Sequence, residues 1–170
     1  MFQIKICGVT RPADAVAALE SGADAIGLNF YPLSPRSVSM EQAAAITAIL
    51  PNTNAAIVGV FVNESVDRMR SVAAAVGLTA IQLHGDESPE IIAALSPWPV
   101  IRAFRMAPDD EAGILEFVQA CETEHKAPLA AVLIDAAVPG EYGGTGEKAD
   151  WRQVARLVTE LRGLGDNAPS

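Results

Sequence analysis

A thiol, a carboxyl group, an imidazole and two cations sit at places in this chain where chemistry could be done. Cys7 closes the alternating run from Phe2 to Cys7, and Gly8 and a helical pattern from Pro12 follow it. A thiol at the end of a strand can act as base or nucleophile, and a small buried core cysteine is the plain alternative. Asp135 ends the apolar stretch Ala130–Ile134 and is either a helix cap or a catalytic acid. His84, two residues after Gln82, closes another strand pattern and could equally be a hydrogen-bonded structural histidine. Lys5 shares a face with Cys7; it could form a Schiff base, or be an inward lysine neutralised by an acid.

Arg36 follows Ser34-Pro35 in a loop stiffened by two prolines. A guanidinium held there suits bidentate recognition of a carboxylate or phosphate, and a solvated surface arginine is the alternative. The run Gly143-Gly144-Thr145-Gly146 resembles a phosphate cradle, but Lys148 lacks the P-loop spacing, so it reads as a mobile active-site loop.

Six strand–helix units position these groups. Strands are expected over 2–7, 24–30, 55–62, 79–84, 99–105 and 129–136. Helices are expected from Pro12 to Ser21, from near Ser39, from Glu64 to Val76, from Ser88, from Pro108 to Glu124 and from Asp150 to about Arg162. Ser39-Met40-Glu41-Gln42 has capping-box spacing, Gly77 suits a helix C-cap, and Ser88-Pro89-Glu90 has a cap followed by a first-turn proline. Repeating βα units imply a parallel sheet, α/β in class, and no glycine fingerprint follows the first strand. A (β/α)8 barrel of the TIM type fits, with only six units present; the expected domain spans 1–162, and 163–170 reads as linker or disorder. Alternation puts Gln3, Lys5 and Cys7 inward and Phe2, Ile4 and Ile6 against helices. Asn29, Asn63, Gln82, His84, Arg102, Arg105 and Asp135 are expected to converge with Cys7 in one ring at the carboxyl ends of the strands.

Composition narrows the function class. The 170 residues are half hydrophobic, 19% charged, and have a mean hydropathy of +0.24, as in an ordinary globular domain. A formal charge of -9 disfavours a nucleic-acid surface. The longest apolar run, Ala55–Val62, is too short to span a bilayer, and no leader segment is visible. Two cysteines without a secretory context point to free thiols in the cytoplasm.

Lys5-Ile6-Cys7-Gly8-Val9-Thr10-Arg11, Gly22-Ala23-Asp24, Ser34-Pro35-Arg36, Gln82-Leu83-His84-Gly85, and Leu133-Ile134-Asp135 followed by Gly143-Gly144-Thr145-Gly146 together resemble the phosphoribosylanthranilate isomerases, from Phe2 to about Leu161. The resemblance implies an Amadori rearrangement of a phosphorylated aminoaldose in tryptophan biosynthesis, without metal or cofactor. It implies that Cys7 is the general base and Asp135 the general acid, with Arg36 clamping the anthranilate carboxylate. Gln82, His84 and Gly144 complete the expected substrate contacts.

Two features depart from the family pattern. Ala149 replaces an aromatic residue often found before Asp150-Trp151. The family holds substrate phosphate with backbone amides after strands seven and eight, and no matching glycine-rich segments follow Leu164. The expectation is therefore a C-terminally truncated chain with open edges at strands one and six, through which missing strands or a second copy could pair. The alternatives are an inactive half-scaffold completed in trans and a different phosphate-binding barrel enzyme. Indole-glycerol-phosphate synthase is disfavoured because its lysine and glutamate set cannot be assembled here.

Overall fold

A strand followed by a helix leaves an apolar strip on each, and the two strips bury one another when the units stack side by side. In a computed structural model, which describes residues 2–50, 54–106, 110–136 and 151–165, six such units follow in succession. The strands are β1 (Lys5–Cys7), β2 (Ala25–Asn29), β3 (Ala56–Phe61), β4 (Ala80–Leu83), β5 (Val100–Met106) and β6 (Ala131–Ala136). The helices are α1 (Pro12–Glu20), α2 (Met40–Ala48), α3 (Val66–Val76), α4 (Glu90–Ala94), α5 (Glu111–Thr123) and α6 (Trp151–Gly165). Strand order equals chain order and every pairing is parallel.

The helix boundaries follow from local chemistry. Ser39 accepts from the Gln42 amide while Gln42 Oε1 accepts from the Ser39 amide, so the capping box forms as expected. Gly77 ends α3 in the left-handed region at φ 74°. At α4 the cap position falls on Pro89, not Ser88, and has no side-chain cap bond. Helix α6 runs to Gly165, three residues beyond its expected end.

The strip facing the helices contains Ile26, Leu28, Phe61, Ile81 and Leu83, packed with Ala43, Ile46, Met69, Val72 and Val76. The opposite strip brings Val58, Ala80 and Ile101 together with Phe2, Ala131 and Leu133. Such a cluster draws on residues from β3 through β6 and from ahead of β1, which requires a rolled sheet. Lys5 confirms the roll independently. It lies three strand spacings from Gln82, about 14 Å in a flat sheet, yet its Nζ donates to Gln82 Oε1 at 2.9 Å. The chain therefore has the (β/α)8-barrel type of fold, with six units among the described residues.

Two expectations for the first strand need correction. It begins at Lys5, not Phe2, because the Gln3 and Ile4 amides both donate to the Asp24 carboxylate at 2.7 Å. These two bonds also hold that carboxyl below the usual carboxylate range. A bend at Gln3 breaks the alternation, so Phe2 packs inside the roll, not against helices. Ile4 and Ile6 do face outward, beside Ala17 and Ala18 of α1, and are 53% and 44% exposed. Among the described residues, no helix is long and apolar enough to cross a membrane.

Candidate active site

Period-two alternation along β1 turns Lys5 and Cys7 to the inside of the roll. Cys7 is exposed at the strand's end and pairs in register with Gly27. A Cβ on Gly27 would lie 2.8 Å from Cys7 Sγ and 3.2 Å from Lys5 Nζ, so only glycine fits and the thiol and ammonium share one small space. Gly8 turns the chain away at φ +80°, with the Arg36 side chain lying where its Cβ would be. Arg36 Nη1 donates to the Cys7 carbonyl at 3.1 Å, and the Arg36 amide donates to Ser34 Oγ at 3.2 Å. The expected anion-binding guanidinium is thus tethered to the backbone of the thiol residue.

Across the roll, a line of polar side chains runs from β1 to β6. Lys5 Nζ meets Gln82 Oε1, Gln82 Nε2 lies 3.4 Å from His84 Nδ1, and His84 Nε2 lies 3.5 Å from Asp135 Oδ2. The partner of Lys5 is therefore an amide, where an acid was expected. Gln82 is 2% exposed, and the His84 and Asp135 side chains are 12% and 26% exposed. Burial pushes the His84 imidazole below its ordinary range; Asp135 opposes the shift, while Arg105, Arg102 and Lys5 add to it. Cys7, Gln82, His84 and Asp135 thus gather at the carboxyl edge of one sheet, with Arg36 over Cys7. Gly144, with the rest of the glycine-rich loop, and Ala149 lie outside the described residues.

The expected ring is too large by several members. Arg102 and Arg105 are three residues apart on β5 and must face opposite ways. Arg105 pairs with Asp86, whereas Arg102 lies on the helix side, its guanidinium carbon 5.1 Å and 5.3 Å from the Phe104 and Phe117 ring centres. Asn29 Oδ1 accepts from the Tyr31 amide and Asn63 Oδ1 from the Asp86 amide, so both asparagines fasten loops.

Sequence reading missed Glu87, which forms the buried centre of this edge. Its carboxylate accepts from the Asn63 amide at 2.8 Å, the Gly85 amide at 2.9 Å and Arg102 Nη1 at 3.0 Å. Arg102 also donates to the carbonyls of Leu83 and Gly85, so the ends of β3, β4 and β5 are locked around His84. The signal was available: Arg102 shares an otherwise apolar face with Val100, Phe104 and Met106, and a buried guanidinium demands a carboxylate. Arg102→Met should cost about 3–5 kcal/mol, because it strands a buried Glu87. Urea unfolding checks this, and adding Glu87→Gln, which removes the charge and keeps an oxygen for one of the two amides, should recover part of the loss.

Parallel strands in chain order, rolled so that their carboxyl ends share a polar edge, define a (β/α)8-barrel-type protein, a fold whose enzymes carry their sites at that edge. Residues 4–163 match the family model described as N-(5'-phosphoribosyl)anthranilate (PRA) isomerase. The chain belongs to that family. An N-(5'-phosphoribosyl)anthranilate isomerase of Myxococcus xanthus is 46% identical over 157 residues, covering 92% of this chain and 70% of that protein. One from Pseudomonas syringae pv. tomato is 48% identical over 147 residues, covering 86% of this chain and 67% of its own length. The crystal structure of phosphoribosyl anthranilate isomerase from Thermotoga maritima superposes with a TM-score of 0.75 at 39% identity, over 89% of this chain and 69% of that one. Another solved isomerase, in complex with reduced 1-(o-carboxyphenylamino)-1-deoxyribulose 5-phosphate, gives a TM-score of 0.61 at 30% identity, over 96% of this chain and all of that one.

Proposed function

We propose that this chain isomerises N-(5'-phosphoribosyl)anthranilate to 1-(2-carboxyphenylamino)-1-deoxyribulose 5-phosphate, the Amadori rearrangement of tryptophan biosynthesis. The observation that carries this reading is the line of polar side chains across the roll, with Cys7 beside one end and Asp135 at the other. An Amadori rearrangement needs an acid and a base on one sugar. Asp135 protonates the ring oxygen as the ring opens to an iminium ion. Cys7, as thiolate, then removes the proton from the neighbouring sugar carbon, leaving an enolamine that becomes the ketone. Arg36 binds the anthranilate carboxylate, and Gln82 and His84 lie along the line between Lys5 and Asp135.

The reaction needs neither electron transfer nor a bound metal, since one proton is given and one taken. The cytoplasm is the compartment this reading implies, because Cys7 must remain a free thiol. Turnover of phosphoribosylanthranilate by the purified chain, followed by loss of substrate fluorescence, tests the proposal; no turnover above background counts against it. Arg36→Met should raise KM about 10-fold or more with a smaller effect on kcat, since it removes a charge-assisted contact outside the reacting atoms. An unchanged KM would remove Arg36 from substrate binding.

A further inference from the structure

The line from Lys5 to Asp135 has a direction. An ammonium group can only donate, so the Gln82 atom facing Lys5 Nζ at 2.9 Å must be the amide oxygen. The amide nitrogen is then turned toward His84 Nδ1, 3.4 Å away, and it too can only donate. His84 Nδ1 must therefore accept, and the single proton of the neutral ring is left on Nε2. Nε2 is buried, forms no hydrogen bond of normal length among the described residues, and has Asp135 Oδ2 at 3.5 Å.

We propose that Lys5 and Gln82 are positioning residues that fix the tautomer of His84, so that an Nε2–H donor faces the Asp135 carboxyl. No proton travels along the line. Each link sets only the orientation of the next, from Lys5 to the amide, from the amide to the imidazole, and from the imidazole to the acid. The ring must be neutral for this, and burial, Arg105, Arg102 and Lys5 all disfavour a charged imidazole against the pull of Asp135. The 3.5 Å separation leaves the donor just short of a bond, ready to close on the carboxylate that remains once Asp135 has given up its proton. The consequence for turnover rests on the proposed role of Asp135 as acid, but the tautomer itself does not.

Long-range proton–nitrogen correlation NMR on the free chain tests the tautomer directly. The second histidine, His125, is removed by His125→Asn so that His84 gives the only ring signals. The expected result at neutral pH is a neutral ring protonated on Nε2. Gln82→Glu places an acceptor against Nδ1 and should transfer the proton there. Lys5→Met frees the amide to flip and should give a mixture, while Lys5→Arg, still a pure donor, should preserve the wild-type tautomer. In steady-state assays, Lys5→Met and Gln82→Glu should lower kcat about 10- to 100-fold with KM little changed, the size expected of a misplaced reacting group. Circular dichroism confirms that each variant folds. An Nδ1–H or charged ring in the wild type, or unaltered ring signals in both Lys5→Met and Gln82→Glu, overturns the proposal. Absence of turnover in the wild type defeats the isomerase reading alone, and the ring signals then decide the tautomer.

Discussion

Cys7→Ala should reduce turnover of phosphoribosylanthranilate by about 10²–10⁴ while leaving the fold unchanged, the range a positioned general base supplies. The thiol is exposed at the mouth of the roll, so its removal opens no cavity in the core. Gly27 opposite leaves no side chain that could take over the base, and Lys5, the other group over that glycine, is spoken for by Gln82. Cys7→Ser is the informative control, because a hydroxyl keeps the shape but is ionised far less readily than a thiol. Rates and thermal unfolding measured together separate chemistry from folding. Near-wild-type turnover in Cys7→Ala would take Cys7 out of the mechanism.

Asp135→Asn should cost a similar factor, about 10²–10⁴ in kcat, with a smaller change in KM. Asparagine matches the carboxyl in size and its oxygen can still face His84 Nε2, so β6 should keep its register with β5. What asparagine lacks is a proton acidic enough to release to a ring oxygen. The loss should therefore persist at every pH, unlike the loss caused by a merely misprotonated carboxyl. A rate recovered by lowering the pH of the variant assay would argue that another group is the acid.

Much of this architecture was legible in the residues. All six strands and their helices follow from period-two and period-3.6 patterns, with boundaries displaced by a few residues. The inward placement of Cys7, Gln82 and Asp135 follows from the same alternation. Its failures are instructive. Phe2 escaped the pattern because the Asp24 carboxylate, distant in sequence, captures two amides and bends the chain before β1 begins. Arg102 was assigned to the ring because charge at a strand end suggests a site, although its parity with Phe104 and Met106 already opposed that. The parity of Arg102 called for a buried carboxylate but did not point to Glu87 as its source. That pairing depends on three separate strand ends meeting, and no local spacing encodes such a meeting. The amide partner of Lys5 was likewise hidden, since it comes from a strand three places away in a sheet whose curvature had yet to be known.

The sequential order of the strands bears on how the molecule is made. As the chain leaves the ribosome, each new strand finds the neighbour it must pair with already synthesised, and no later segment has to be inserted between two that have already joined. Growth can proceed by adding one strand–helix unit at a time, each closing over a single crossover helix. Lys5 is the exception. It is among the first residues to emerge, and it waits for the arrival of Gln82, some eighty positions later, before its amine has its partner. The side-chain order of this polar edge is thus a late product of biosynthesis, even though its first member is among the earliest residues translated.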